Sequence, residues 1–419
     1  MELGTILSRF KQSLDTIPES DARASIGPRA FITALVFSFL ADRGARSLES
    51  IRRNVKKATG TDMARSSFWE RMATRRLLYF LAQLAEEAIR NMAGVTFPAT
   101  KIEALLILLQ VKGILMVDSS SMSLPKMAGA VLPGPRKNVA PAVIKWHSCF
   151  DLLKGTVKWF DLSAGTSHDQ NHFPDLNLLV GMLVIFDLGY CDYCLLQAIA
   201  NVGGFFLCRV KTNAIVQIGE VVSGLPKKYR GKLLFGKHLS KGESIIEVKG
   251  LFKEGLFEWR VIGFWNPIDE VYHWYATNLL VPAKLIYPLY RLRWQAELLF
   301  KMAKSSLRLS EITSADANIV QSLVLASIVA TTLANPLALV MARFNQLEKK
   351  QLQMPSLQRA GTVVVQMSRE LMAFFLDGRR ANLTLLTKQL KLFSNEIFDP
   401  NRKRETSIQR VFRMASEMA

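Results

Sequence analysis

Between residues 113 and 212, short apolar runs of strand length follow one another so closely that few folds can hold them. "GILMVD" (113–118), "AVIKWHSCFDL" (142–152) and "TVKWFDLS" (156–163) come in succession across turns that contain Gly or Pro. After a polar loop and the segment "FPDLNLLVG", "MLVIFD" (182–187) is apolar at every position but the last, the pattern of a strand buried on both faces. A helix, "CLLQAIANVGG", and a further strand, "FFLCRVKT", complete the series. Early antiparallel strands followed by helix-linked ones require a mixed sheet flanked by helices.

The order is that of the ribonuclease-H-like α/β fold, which is the expected core. Residues 213–280 interrupt it with basic, strand-rich sequence, "GKLLFGKHLS", "SIIEVKG", "FEWRVIGFW" and "VYHWYATNLL", read as a β insertion before the next helix. The expected division is a helical region at 1–107, a core at 108–344 with its insertion, and a basic helical region at 345–419. In the first region, "SLESIRRNVKKATG" and "SSFWERMATRRLLYFLAQLAEEAIRNMAG" show helical spacing around Thr59-Gly60-Thr61. Ser66 or Ser67 is the expected N-cap of the second helix, with Glu70 at capping-box distance from Ser67. The outline fits a helix-turn-helix and equally an ordinary bundle with a solvated basic face.

A net charge of +19 favours a polyanionic partner, nucleic acid or an anionic surface, without saying anything about catalysis. Ten Lys/Arg face three Asp/Glu between Arg43 and Arg76, and thirteen face seven over 345–419. Arg65, Arg71, Arg75 and Arg76 are therefore candidates for phosphate or groove contacts. Four cysteines in 419 residues make no disulfide framework and suggest a reducing compartment. Cys191-x2-Cys194 lacks a second pair, so core thiols are expected rather than a metal or redox site. The run at 319–342 is long enough to span a bilayer but is interrupted by Gln321, Ser322, Asn335 and Pro336, and is expected to be a buried helix or helix pair broken near Pro336. No signal peptide is apparent, and the cytoplasm of a bacterial-type cell is the expected location.

Asp118 and Asp187 end two of the strand-like runs. In sheets with a parallel pair, side chains from neighbouring strands converge at the C-terminal ends. In "LYRLRWQAELLFKMAK" (289–304), Tyr290, Arg293, Glu297 and Lys304 fall on a helical stripe roughly 60° wide, with Leu292, Leu299 and Ala303 facing elsewhere. Two strand-end aspartates and a helix-borne glutamate would form a cluster of hard oxygen ligands suited to Mg²⁺ or Mn²⁺, two ions being the usual number for phosphodiester chemistry. The cations and the tyrosine would then hold phosphates. Taken singly, each carboxylate is an ordinary strand-end residue or, for Glu297 with Lys301, a common helix pair.

Tyr290-x2-Arg293-x3-Glu297-x6-Lys304 resembles the Tyr-Arg-Glu-Lys signature of the DDE transposases of insertion-sequence family four. The similarity extends through "MVDSSS", "IKWHSCFDLLKG", "VIFDLGY", "YATNL" and "YRLRWQAELLFKMAKSSLRL", about 110 to 310. It implies Asp118, Asp187 and Glu297 as metal-binding catalytic residues and a β insertion between the second and third. It also implies cut-and-paste chemistry: cleavage at element ends, often through a hairpin, and 3′-OH strand transfer. The implied partners are double-stranded DNA at terminal inverted repeats, target DNA and a second copy of the chain in the DNA complex. Lys301 joins Tyr290, Arg293 and Lys304 as a DNA-binding candidate on the same helix. Trp294, Trp259 and Trp265 compete to stack on a flipped base, with core packing the alternative for the last two, and Arg209 and Lys211 resemble a basic pair that contacts DNA. Leu188 follows the second aspartate where many relatives carry a basic or polar residue, and His147 in "KWHS" is expected to be structural. Competing functions are a metal-dependent nuclease without strand transfer, a non-catalytic DNA-binding repressor and, more distantly, a membrane-associated protein.

Overall fold

The computed structural model describes residues 3–41, 47–92, 99–211, 213–235, 244–306, 312, 314–349, 355–377, 380–398 and 406–417. Arg43 and Arg46 of the basic N-terminal stretch, residues 236–240 of "GKLLFGKHLS" and residues 307–310 beyond the signature helix lie outside them.

The described N-terminal helices are α1 (Leu3–Asp15), α2 (Pro28–Ala41), α3 (Leu48–Thr59), α4 (Arg65–Met72), α5 (Arg75–Met92) and α6 (Ala99–Leu109). Ser47 caps α3 by accepting from the Ser50 amide, and Gly60 closes it in the left-handed region at φ 70° with its N–H donated to the Lys56 carbonyl. The single long helix expected after this turn is two. The Thr74 hydroxyl donates to the Arg71 carbonyl and accepts from the Leu77 amide, which ends α4 and starts α5. The cap of α4 is Ala64, without a side-chain bond, so the capping box at Ser67 does not form. Phe68 and Met72, both buried, set the register of that short helix instead.

The sheet begins with β1 (Gly113–Ser123), β2 (Pro133–Arg136), β3 (Ala140–Asp151), β4 (Thr156–Ala164) and β5 (Met182–Phe186), followed by α7 (Tyr193–Asn201) and β6 (Phe205–Arg209). Its central order is β4-β3-β1-β5-β6, antiparallel among the first three and parallel from β1 through β5 to β6. This is the ribonuclease-H-like arrangement. The short β2 has no apolar alternation and was not legible as a strand.

Along β1, Ile114 and Met116 enter one core while Leu115 and Val117 enter the other. β5 alternates likewise, with Leu183 and Ile185 on the first side and Val184 and Phe186 on the second. Two buried faces explain the uninterrupted apolar run.

The insertion supplies β7 (Val216–Ser223), β8 (Ile245–Phe252), β9 (Phe257–Asn266) and β10 (Val271–Thr277). These strands do not stand apart: β10 pairs with β6, and the sheet continues through β9, β8 and β7. The strand expected at "GKLLF" is mostly turn, with one bridge from Leu233 to Gln217; "VQIGEVVS" is the strand instead.

After the sheet come α8 (Ile286–Tyr290), α9 (Trp294–Lys301), α10 (Ala317–Lys349), α11 (Leu357–Gln366), α12 (Ser368–Asp377), α13 (Arg380–Leu392) and α14 (Ser407–Ser416). Helices from both ends of the chain share one core, α5 lying against α10 and α12 against α2. The long apolar run is α10, and it passes through Pro336 without the expected break. It is buried inside the protein over most of its apolar length, with Leu333, Ala334, Leu337 and Ala338 packed on either side of the proline. That packing holds the helix where the missing N–H would otherwise interrupt it.

Ile185 is fully buried in the strand that leads to Asp187. Ile185→Ala is expected to lower the unfolding free energy by about 2–4 kcal/mol in urea denaturation, from lost transfer energy and the cavity left behind.

Candidate active site

The parallel register of β1 and β5 pairs Val117 with Phe186 and goes no further. Asp118 and Asp187 occupy the next rung, on the face that carries Ile114 and Ile185. Asp118 does not end its strand as expected. β1 runs on to Ser123 because it stays paired with β3 beyond the point where β5 stops. Asp118 is thus fixed on one side by a ladder and open on the other.

The third carboxylate comes from a segment that is less regular than a single helix. α8 gives way to a 3₁₀ turn at Arg291–Arg293, α9 follows, and a π-helical turn spans Met302–Ser306. The stripe nevertheless faces the strand ends. The Tyr290 hydroxyl donates to Asp187 Oδ1 at 3.0 Å, and Arg293 donates to Asp118 Oδ2 at 2.8 Å and to Glu297 Oε1 at 2.5 Å. Lys304 Nζ donates to the Ser121 carbonyl at 2.8 Å. Leu292, Leu299 and Ala303 are buried on the opposite side. Glu297 pairs backward with Arg293 four residues earlier, and Lys301, its expected i,i+4 partner, is exposed.

Burial pushes the Asp118 carboxyl up to about 6, against the pull of Arg293 and with the push of Asp187 and Glu297. Burial also raises the Tyr290 phenol, helped by Asp187. For Arg293, burial opposes the charge, but Asp118, Tyr290, Asp187 and Glu297 hold it above the ordinary guanidinium value. Burial lowers Lys304. The donor set, three carboxylates with hard oxygens and one held in a desolvated position, fits a divalent cation such as Mg²⁺. Among the described residues, however, no three acidic or imidazole groups already surround one point, because Arg293 lies among the carboxylates.

The other candidates divide clearly. Trp294 is 53% exposed beside Arg293, whereas Trp259 is buried edge-on against Phe206 and Trp265 packs on Tyr272. Arg209 ends β6 opposite Tyr275, whose ring lies 4.8 Å from that of Tyr290, while Lys211 is exposed just beyond. In the N-terminal helices Arg65 and Arg75 are exposed. Arg71 instead donates to the Ile26 carbonyl and lies 4.0 Å over Phe31, and Arg76 pairs with Asp21 at 2.6 Å. Both line a cleft of about 570 Å³ shared with Asp21, Asp62 and Glu70, whose mixed charge differs from that of a purely basic groove. Of the cysteines, Cys149 and Cys208 are buried as expected, but Cys194 is exposed and Cys191 is half-buried with its sulfur 3.8 Å from that of Cys208.

Sequence reasoning missed a polar network on the opposite face of β1 and β3. Ser119 Oγ donates to Asp169 Oδ2, and Lys145 Nζ reaches Asp169 Oδ1 at 3.0 Å. His147 bonds the Tyr190 hydroxyl and Ser163, and stacks at 4.4 Å on His172, which bonds Asp161. This network ties the turn after Asp187, where Tyr190 sits, to β3 and β4. Only the polar character of the loop around "SHDQNH" hinted at it.

Fold and site together define a ribonuclease-H-like core with an acidic centre where the β1–β5 pairing stops. Residues 109–333, more than half of the chain, match the family model described as the transposase DDE domain, and the chain belongs to that family. It is 22% identical over 247 residues to the transposase for insertion sequence element IS1151 of Clostridium perfringens, covering 48% of this chain and 51% of that protein. It is 24% identical over 243 residues to the putative transposase y4zB of Sinorhizobium fredii, covering 55% and 62%. Over 321 residues it is 23% identical to the transposase for insertion sequence element IS231B of Bacillus thuringiensis, covering 65% of each. The chain thus spans between about half and just under two thirds of the length of these relatives. A cryo-EM structure of the piggyBac transposase synaptic complex with hairpin DNA aligns over 96% of this chain and 84% of that one, with 9% identity and a TM-score of 0.46.

Burial holds the His147 imidazole down to about 4, with His172 and Lys145 adding to the effect and Asp169 and Asp161 opposing it. The folded value lies below the unfolded one of about 6.5, so the unfolded chain binds the extra proton first and stability falls as pH drops from about 6.5 towards 4. His147→Gln is expected to lack this part of the acid loss, about 2 kcal/mol by pH ~5, when urea midpoints near neutrality and near pH 5 are compared with those of wild type.

Proposed function

We propose that this protein is a transposase of the insertion-sequence family four type, cutting DNA at element ends and joining the freed 3′-OH to a target. The observation that carries this reading is the convergence of the Tyr290–Arg293–Glu297 stripe on Asp118 and Asp187, two carboxylates at the point where the parallel β1–β5 pairing stops and 69 residues apart in sequence (187 − 118). Membership of the transposase DDE domain family supports it.

Asp118, Asp187 and Glu297 would hold one or two Mg²⁺ or Mn²⁺ ions. When bound, these supply Lewis-acid stabilisation of the scissile phosphate and an activated water or 3′-hydroxyl. The chain's own residues do the positioning. Tyr290 orients Asp187 through its hydroxyl, and Arg293 and Lys304 hold the phosphates that flank the scissile bond. Trp294, exposed next to Arg293, offers a stacking face to an unpaired base, for which the buried Trp259 is poorly placed. Arg209, Lys211 and Lys301 extend the basic rim.

The helical N-terminal region and the basic C-terminal region are proposed as duplex-binding parts around the core, with terminal inverted repeats and target DNA as partners. A pair of chains in the DNA complex and a cytoplasmic location are part of the same proposal. The net charge of +19 favours the duplex electrostatically.

The test is cleavage of a labelled duplex carrying the flanking ends of the gene, with Mg²⁺ or Mn²⁺. Glu297→Gln is expected to lose at least roughly 100-fold in cutting rate while its gel shift remains. Wild-type cutting without joined product would leave a nuclease, and binding without cutting by the wild type with either metal would refute the enzymatic reading. In the N-terminal helices, replacing Arg65 and Arg75 together by Ala is expected to weaken duplex binding and to reduce the slope of log K against log salt by about 1–2. Arg76→Ala, which breaks an existing pair with Asp21, should change that slope less.

A further inference from the structure

Arg293 is placed oddly for a residue whose only task is to meet DNA. Its side chain is 16% exposed, and its fork is turned inward, with one terminal nitrogen on Asp118 Oδ2 and the other on Glu297 Oε1. Its Nε is buried with no hydrogen-bond partner among the described residues. Asp187 is served separately by Tyr290, so the guanidinium spans the two carboxylates that Tyr290 does not reach.

Three carboxylates converging without a counter-cation would repel one another. A planar fork with two donors on one edge suits two oxygens from different residues. We propose that Arg293 is a displaceable internal cation: it neutralises Asp118 and Glu297 until a divalent ion takes those oxygens, and the freed guanidinium then turns to a DNA phosphate. This rests on the reading of Asp118 and Glu297 as metal ligands given above. It adds that binding of the ion and capture of the phosphate are coupled through one side chain.

The mechanism fixes the sign of one measurement. An ion held by Asp118 and Glu297 would compete with the fork for their carboxylates. Neutralising Arg293 should therefore tighten metal binding. If Arg293 merely braced the carboxylates in a geometry ready for metal, its loss should weaken metal binding. Arg293→Lys retains the charge but cannot present a planar fork to two separate carboxylates, so it should compete less well than the wild type and better than Arg293→Gln.

The experiment is Mn²⁺ binding to the full chain without DNA, followed by the electron-paramagnetic-resonance signal of the free ion. Wild type, Arg293→Gln, Arg293→Lys and Glu297→Gln are compared, with the folding of each checked by thermal melting. Arg293→Gln is expected to bind Mn²⁺ on the order of tenfold more tightly than wild type, with Arg293→Lys between them. If Arg293→Gln does not fold, tighter binding by Arg293→Lys decides the matter in the same direction. Equal or weaker binding by the folded variants, while wild-type binding still depends on Glu297, would overturn the displacement proposal and leave the metal site standing. Binding that is the same in wild type and Glu297→Gln would remove the metal-site reading and this proposal with it.

Discussion

β1 and β5 run parallel as far as Val117 and Phe186, and one residue further each chain carries an aspartate. A parallel ladder sets neighbouring side chains in step, so two acids on the same rung must share a face. β1 stays pinned to β3 beyond this point, through Asp118↔Ser148 and onward to Ser123↔Val143, whereas β5 releases its chain into a turn at Leu188–Tyr190. One aspartate is therefore rigid and the other sits at the mouth of a turn. The buried bond between His147 and Tyr190 anchors that turn from the opposite face of the sheet.

Placing acids together creates an electrostatic problem that the neighbouring helix answers. Burial alone disfavours the Asp118 charge, and Asp187 and Glu297 add to the penalty. Arg293 and Tyr290 offset this from one short segment, a fork for two carboxylates and a hydroxyl for the third. The 3₁₀ turn between α8 and α9 departs from regular helix at the residues where these side chains leave. The four signature residues thus act as one unit, because each is held by a partner on the strands or on the helix.

Much of this was readable from residue types and spacing. The unbroken apolar runs "GILMV" and "MLVIF" identify strands buried on both faces, and the stripe at 290–304 tolerates irregular helix because neighbours three and four apart stay on one side. What escaped notice depended on tertiary context. β2 has no apolar pattern because it lies at the sheet margin, and Thr74 ends a helix through hydroxyl bonds that propensity does not weigh. Pro336 stays within α10 because packing overrides a local breaker, and the Ser119–Asp169–Lys145 contacts join residues far apart in sequence. The guanidinium among the carboxylates was unreadable for another reason. Spacing places Arg293 and Glu297 on one stripe but cannot say whether the fork points outward or in.

The insertion is where continuity of the sheet matters most. Had it formed a separate lobe, a sequence separation of 110 from Asp187 to Glu297 (297 − 187) would leave the return of the chain to the site loosely determined. Instead β10 lies along β6, the Thr277 hydroxyl donates to the Phe206 carbonyl, and Asn278 bonds both the Phe206 amide and the Gly204 carbonyl. Arg260, paired with Glu247, then donates to the carbonyls of Leu279 and Val281, holding the exit of β10 just before α8. Tyr275 on β10 meets Tyr290 ring to ring at 4.8 Å. The detour therefore ends in a fixed strand, and the register of that strand decides where Tyr290, and through it Arg293 and Glu297, come to rest against the two aspartates.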